Sequence, residues 1–336
     1  MTVAVSKPKS VAGQTLTIDK ASMKVSPSIR STSAELTLSL QSSRGGEHVI
    51  TVPNGAVVDT LTVSGKTQPL RQEGRRLTLP ISPGHADAVI VWRQPLGLSA
   101  LFRAPAVDLG VPAVNVRVTV DVAADRWILL AGGPRLGPAV LFWSFLLVLV
   151  LFAAGLARLG LAPLGMRQWI LLGLGLSQTP PPAAAIVAGA LLAFGWRRAR
   201  PPARRAWLHN LTQIIFALWT AAAIAVLFAA IEQGLLESPD MRITGNGSYG
   251  GHLAWFADRV GGGMPQPWMV SVPLLVYRLV MLAWALWLAL AVIRWARWIW
   301  GCFTHGDLWR ASAAKPAASA PPSPPPAAPP SPAGPT

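Results

Sequence analysis

Long apolar runs in the second half of the chain constrain its fold more than any other feature. An α-helix needs about 20 residues to cross a hydrocarbon core of about 30 Å. The runs at about 138–158, 211–231 and 270–293 have that length and almost no charge. They predict helices that span a membrane.

The composition supports a membrane protein and argues against a nucleic-acid partner. Of the 336 residues, 52% are hydrophobic and 13% are charged, with 29 Lys and Arg against 14 Asp and Glu. Much of the positive excess flanks the apolar runs, where the positive-inside rule explains it. We therefore expect the lipid bilayer as a partner and no nucleic acid.

The chain divides into three regions by composition. Residues 1–135 alternate apolar and polar side chains in short stretches such as "AELTLSL" and "VNVRVTVDV", separated by Gly, Pro and Ser. This period of two predicts an all-β domain, sandwich-like or jelly-roll-like, with half-buried antiparallel strands. Residues 136–300 predict a helical transmembrane bundle of three to four spans plus a short or re-entrant helix. Residues 311–336 are almost only Ala, Pro and Ser and predict a disordered tail.

A hydrophobic run between Trp169 and Arg200 is broken by Gln178, Thr179 and Pro180, followed by two more prolines. Two interpretations fit. In the first, 168–177 is a surface helix, Thr179 caps a new helix, and 180–196 crosses the membrane. In the second, 168–177 and 180–196 form a re-entrant hairpin that returns to the side from which it came. The first places the β domain in the cytoplasm and the second places it outside.

Charge orients the later spans. Five arginines precede the run at 211–231, which predicts a cytoplasmic connection: Arg197, Arg198, Arg200, Arg204 and Arg205. The connection 232–268 carries few arginines and is expected outside, and the C-terminal tail is expected in the cytoplasm. The first span has two arginines on each side, so its flanking charge does not indicate its orientation. The first 20 residues lack the apolar core of a signal peptide, which favours a cytoplasmic β domain.

Few residues indicate chemistry. Arg278 lies within the last span, and we expect it either to reach the interface or to pair with Glu232. Gln178, Thr179 and Pro180 form a candidate helix-break site. "GNGSYGG" matches G-x-G-x-x-G, but without a βαβ context it predicts a turn. "HLAWFADRV" predicts a short amphipathic helix in which Asp258 and Arg259 form a local ion pair.

No catalytic, cofactor-binding or metal site is predicted. Cys302 and His305 have a spacing that can chelate a metal ion, but a zinc site needs about two more ligands. The sequence therefore implies no cofactor.

Four segments resemble parts of a known group of proteins: "RWILLAGGPRLGPAVLFW", "WILLGLGLSQ", "GNGSYGG" and "SVPLLVYRLVMLAWALWLAL". They look like segments of long, uncharacterised proteobacterial inner-membrane proteins, in which a β-rich envelope domain precedes a C-terminal helical bundle. The resemblance covers Arg126 to Arg310 and implies no activity. It implies that the chain corresponds to the C-terminal part of a longer protein, which favours a periplasmic β domain.

These observations predict a non-enzymatic inner-membrane protein that presents a β domain to a protein partner in the cell envelope. The alternative is a transporter or channel component that uses the broken helix at 168–196. An envelope enzyme is a third hypothesis.

Overall fold

The computed structural model describes residues 15–200, 205–304 and 308–310. Twelve strands come first: β1 (Leu16–Pro27), β2 (Thr32–Ser42), β3 (Gly46–Thr51), β4 (Val57–Val63), β5 (Lys66–Thr67), β6 (Gln72–Glu73), β7 (Arg76–Ile81), β8 (Gly84–Gln94), β9 (Leu101–Arg103), β10 (Ala113–Asp121), β11 (Arg126–Gly132) and β12 (Ala139–Val140). The remaining elements are α1 (Phe142–Leu159), α2 (Met166–Leu176), α3 (Pro181–Arg198), α4 (Ala206–Leu236), β13 (Ile243–Thr244), β14 (His252–Val260), β15 (Trp268–Pro273) and α5 (Leu274–Phe303). The tail predicted at 311–336 lies outside the described residues.

The N-terminal region is rich in β-strands, and its largest sheet has seven strands in the order β14-β10-β1-β2-β8-β4-β5. The alternation seen in the sequence determines which side chains face the core. Leu36, Leu38 and Leu40 of β2 are all buried, whereas Glu35 and Gln41, which flank them, are exposed. Two three-stranded sheets, β11-β15-β9 and β3-β7-β6, contribute to the same hydrophobic core.

Strand β10 departs from the prediction in two ways. It runs antiparallel to β14 but parallel to β1, so the sheet is mixed rather than wholly antiparallel. Val116, Val118 and Val120 are buried as expected, but Val114 is exposed. The reason is Asn115, whose left-handed φ of 51° interrupts the alternation before Val116.

The predicted amphipathic helix at "HLAWFADRV" is wrong, because this segment is strand β14. It pairs with β10 over eight residues, from Ala113 with Val260 to Asp121 with His252. Strand β15 follows and lies between β11 and β9. The connection between α4 and α5 therefore supplies strands to two sheets that the N-terminal region begins.

Three of the described helices are long and apolar enough to cross a membrane: Phe142–Leu159, Ala206–Leu236 and Leu274–Phe303. Helix α3 has 18 residues but starts with two prolines and ends with Arg197 and Arg198, and it is not among them. The last helix begins four residues later than the predicted 270–293, because Met269–Pro273 belongs to β15. Pro273 lacks an N–H donor and precedes the first turn of α5, a position where proline is tolerated.

The helices share a second core, and the bundle has two distinct ends. We call the end that touches the sheets the sheet end. Here the N–H of Phe142 donates to the carbonyl of Met241, and the N–H of Leu274 donates to the carbonyl of Asp125. At the opposite far end, the side chain of Gln213 in α4 donates to the carbonyl of Phe303 in α5. Helix α1 thus starts, α4 ends and α5 starts at the sheet end.

Candidate functional site at the helix break

The predicted break is a tight turn between α2 and α3. Thr179 does not cap the new helix as predicted: its hydroxyl donates backward to the carbonyl of Leu176 at 2.8 Å. Pro180 occupies the N-cap, and Pro181 and Pro182 fill the first two helical positions, where a missing N–H costs nothing. The Ser177 hydroxyl donates to the carbonyl of Leu174 at 2.6 Å. Both buried hydroxyls therefore close the end of α2.

Gln178 attaches this turn to the sheet end. Its side-chain oxygen accepts a hydrogen bond of 3.0 Å from the N–H of Asp240, which lies between α4 and β13. The other ends of the two helices lie at the far end: a Cβ at Gly195 of α3 would meet the Leu161 carbonyl oxygen, just after α1, and Phe194 contacts Phe216 near the start of α4. Helices α2 and α3 thus form a hairpin whose turn reaches the sheets.

Arg242 lies beside this turn and next to the start of α1. Its guanidinium stands 4.1 Å from the centre of the Phe145 ring, and its carbonyl accepts from the N–H of Leu141. The residue has a left-handed φ of 51°, and its own N–H donates to the Asp240 carboxylate at 2.7 Å. In the part of the chain that the structure describes, no carboxylate lies within 4.0 Å of the guanidinium.

Aromatic and arginine side chains join the sheets to the bundle. The Trp127 ring of β11 packs edge-on against Tyr277 of α5 at 5.2 Å, and its indole N–H donates to the Met241 sulfur at 3.0 Å. The Arg126 guanidinium donates to the carbonyl and the hydroxyl of Ser271 in β15. The junction is therefore formed by residues from before α1 and after α4.

Several apolar cavities lie between the described helices. The first, of about 430 Å³, runs between α1, α2 and α3, and we call it the α1–α3 cavity. Ser177, Thr179 and Arg242 line it at the sheet end, and Leu156, Trp169 and Leu192 line its deeper part. The second, of about 380 Å³, lies between α3, α4 and α5 and includes Thr220 and Trp295 in its lining.

Trp169, which lines the deeper part of the α1–α3 cavity, carries an unsatisfied donor. The Trp169 side chain is 4% exposed, and its indole N–H has no hydrogen-bond partner among the described residues. Buried polar groups of proteins are normally paired, so this donor is an exception, and its nitrogen has almost no accessible surface toward the cavity.

The predicted pair of Glu232 and Arg278 is not formed. Both side chains are exposed, and within residues 15–200, 205–304 and 308–310 no ion pair joins them. Each lies on the surface of the bundle within two turns of the sheet end, where a long side chain can reach an interface.

A polar cluster that the sequence did not indicate lies at one end of the large sheet. Asp121 of β10 bonds His252 Nδ1 of β14 at 2.5 Å and approaches Lys24 of β1 at 3.4 Å, while the Tyr249 ring stacks on His252. The cluster connects three neighbouring strands. The predicted pair of Asp258 and Arg259 is absent in this described strand, because successive side chains point to opposite faces.

"GNGSYGG" is a turn between β13 and β14, as predicted, with left-handed φ angles at Gly245, Asn246 and Gly247. The Ser248 hydroxyl accepts a hydrogen bond from the N–H of Ala254 and donates one to its carbonyl, which closes the turn. Among the described residues no group of three or more His, Cys, Asp or Glu could hold a metal ion. His305, the proposed partner of Cys302, lies outside them.

The sequence identified Gln178, Thr179 and Pro180 but not the residues that the structure places beside them. Asp240 lies 62 residues from Gln178 along the chain, Arg242 lies two residues further, and "SPDMRIT" carries no motif. Only the charge of Arg242, in the connection after the predicted span at 211–231, could have indicated it.

No family model matches the chain, and no curated protein matches it. Among solved structures, an M1 zinc metallopeptidase from Deinococcus radiodurans shares 14% identity over 36% of this chain and 35% of that chain, with a TM-score of 0.28. Native leukotriene A4 hydrolase from Saccharomyces cerevisiae shares 12% identity over 34% and 24% of the two chains, with a TM-score of 0.26. The chain thus spans about a third or less of these proteins, and no conclusion rests on the likeness.

Proposed function

We propose that this chain is a non-enzymatic protein of the bacterial inner membrane that holds a β-rich platform directly on one membrane face, where it binds a protein partner of the cell envelope. One observation carries the proposal. Strands β14 and β15 come from the connection between α4 and α5, yet they complete sheets begun before α1. The platform is therefore joined to its helical anchor by paired strands and not by a flexible linker.

This arrangement supports a specific topology. If α1 and α4 both cross the membrane, α1 leads from the sheet end to the far end and α4 leads back. The chain between them must then start and end on the same side, so it cannot cross the membrane an odd number of times. The α2–α3 hairpin, which turns at Gln178 next to Asp240, satisfies this condition. The proposal thus adopts the interpretation in which the broken run returns to the side from which it came, with α1, α4 and α5 as the helices that are long and apolar enough to cross.

The arginines support a periplasmic platform. The end of α3 and the start of α4, with Arg197, Arg198, Arg200 and Arg205, lie at the far end of the bundle. Arg294 and Arg297 near the end of α5 add to this charge. Positive charge accumulates on the cytoplasmic side, so the far end is assigned there and the platform to the other side.

Side-specific cysteine labelling tests the topology. Single cysteines are introduced at exposed positions in a Cys302→Ser background: Ser43→Cys on the platform, Thr244→Cys in β13 and Gly165→Cys before α2. An impermeant maleimide added to intact spheroplasts should label the first two and reach the third only after permeabilisation. Labelling of Ser43→Cys and Thr244→Cys from opposite sides would refute the proposal.

The outward face of the seven-stranded sheet is the surface proposed for the partner. It carries exposed polar side chains such as Lys24, Glu35 and Arg93, whereas the opposite face of the same strands is buried in the core. A photocrosslinking amino acid at Glu35 should give one defined adduct in cells, and the same probe at Gly165 should not give it. Equal adducts at both positions would contradict the assignment. The transporter alternative lacks support of this kind, since the hydroxyls at the break bond their own helix.

A further inference from the structure

We infer that the α1–α3 cavity is a binding site for one anionic diacyl phospholipid, with its phosphate at Arg242 and one acyl chain inside the cavity. The inference rests on the proposed membrane location.

The charge at the mouth of the cavity selects an anionic head group. Arg242 lines the sheet end of the cavity, and its guanidinium packs on Phe145 without a carboxylate partner in the described chain. The nearby Asp240 carboxylate is engaged instead by the backbone N–H of Arg242. A guanidinium presents several donors in a fixed geometry that suits phosphate oxygens.

The length of the cavity selects an acyl chain. Along α1 it extends from Phe145 to Leu156, which at 1.5 Å per residue is about 16 Å. One leaflet of a bilayer has a hydrocarbon depth of about 15 Å. The cavity therefore begins at the level of Arg242 and continues over the depth of one leaflet.

The lining of the cavity fits the same ligand. Apart from Arg242 and the two hydroxyls at the turn, the walls are apolar. They are built from large residues with small residues of α3 between them, and the large ones include Leu149, Phe152, Leu156, Leu172, Leu176 and Leu192. Its volume of about 430 Å³ lies in the range of ligand-binding pockets.

The test compares phosphatidylglycerol with phosphatidylcholine of the same acyl chains. The purified full chain in detergent is titrated with each lipid, and bound lipid is counted by native mass spectrometry. We expect one retained phosphatidylglycerol and an affinity about fivefold higher than for phosphatidylcholine, the preference that one arginine near a membrane surface provides. Arg242→Gln should abolish this preference.

Arg278→Gln is the matched charge control, because Arg278 lies at the same end of the bundle on an exposed face and lines neither cavity. It should keep the preference. Ala188→Phe fills the cavity and should reduce retention of both lipids, whereas Ala222→Phe on an exposed face of α4 should not.

Equal loss in Arg242→Gln and Arg278→Gln, or equal affinity for the two lipids in the unmodified chain, would overturn the inference. Inorganic phosphate that competes with phosphatidylglycerol as effectively as the lipid does would also overturn it, because the acyl chain would then contribute nothing. Carbonate extraction of the unmodified chain separates this failure from failure of the membrane proposal, since a protein that is not in the membrane is released there.

Discussion

The side-chain oxygen of Gln178 lies 3.0 Å from the backbone nitrogen of Asp240 and accepts its hydrogen bond. This contact joins the turn of the α2–α3 hairpin to the segment that leads from α4 back into the sheets. It explains how an apolar run that is interrupted by polar residues and prolines can be part of an ordered bundle, because the interruption lies where the bundle meets the platform.

Gln178→Ala should lower the free energy of unfolding by about 1 kcal/mol, the usual net value of one hydrogen bond. Hydrogen exchange at the Asp240 amide should accelerate, because its acceptor is removed. Gln41→Ala, at an exposed position of β2, is the control and should change neither quantity. Unchanged exchange at Asp240 in the Gln178 variant would contradict the contact.

Trp127 and Tyr277 should be coupled energetically across the junction. Their rings meet edge-on at 5.2 Å, a geometry worth about 1 kcal/mol beyond the area that is buried. A double-mutant cycle of Trp127→Leu and Tyr277→Leu, measured by unfolding in mild detergent, should give a coupling free energy of about that size. Additive effects of the two substitutions would show that platform and bundle do not contact there.

Gly195→Ala should destabilise the bundle, by about 1 to 3 kcal/mol as expected for overpacking. A Cβ at this position would lie 1.8 Å from the backbone oxygen of Leu161, which cannot move as a side-chain tip can. Gly155→Ala is the matched control in α1, since a Cβ there meets nothing within 4 Å. Equal melting temperatures for the two variants would contradict the close approach of α3 to the connection after α1.

Asp59 should titrate below its ordinary pKa of about 3.8, because the Arg93 guanidinium donates two hydrogen bonds to it and attracts its charge. Because the folded-state pKa is depressed, the pair stabilises the protein at pH values above the unfolded-state pKa. That contribution is lost as the pH falls through the lower, folded-state pKa. Carboxyl NMR should show a midpoint for Asp59 that rises in Arg93→Gln and stays low in Arg44→Gln. An identical midpoint in all three proteins would contradict the pair.

The sequence predicted the parts of the fold that local patterns encode. Alternation identified the buried face of β2, and run length identified the helices that the structure shows as apolar enough to cross a membrane. Strand β14 was missed because Leu253, Ala254 and Trp255 are buried in succession and show no alternation. Its partner β10 lies more than 130 residues earlier, beyond four helices, and such pairing leaves no local pattern.

The same limit applies to the candidate site. Prolines next to Gln178 and Thr179 indicated a break, since proline ends a helix by local geometry. The positions of Asp240 and Arg242 beside that break depend on how α4 returns to the sheets. A local pattern cannot specify a contact that forms only when distant segments pack together.

A disulfide between β10 and β14 tests most directly whether the segment after α4 completes the N-terminal sheet. Arg117 and Phe256 are cross-strand partners, and the Phe256 N–H points away from β10 toward Leu136. They therefore form a non-hydrogen-bonded pair, in which the side chains are closest. In a Cys302→Ser background, Arg117→Cys with Phe256→Cys should form a disulfide in membranes after mild oxidation, detected as a linked product once the chain is cleaved between α3 and α4. Arg117→Cys with Asp258→Cys, out of register by two residues, should form little. Equal cross-linking of the two pairs, or none in the first, would contradict the shared sheet.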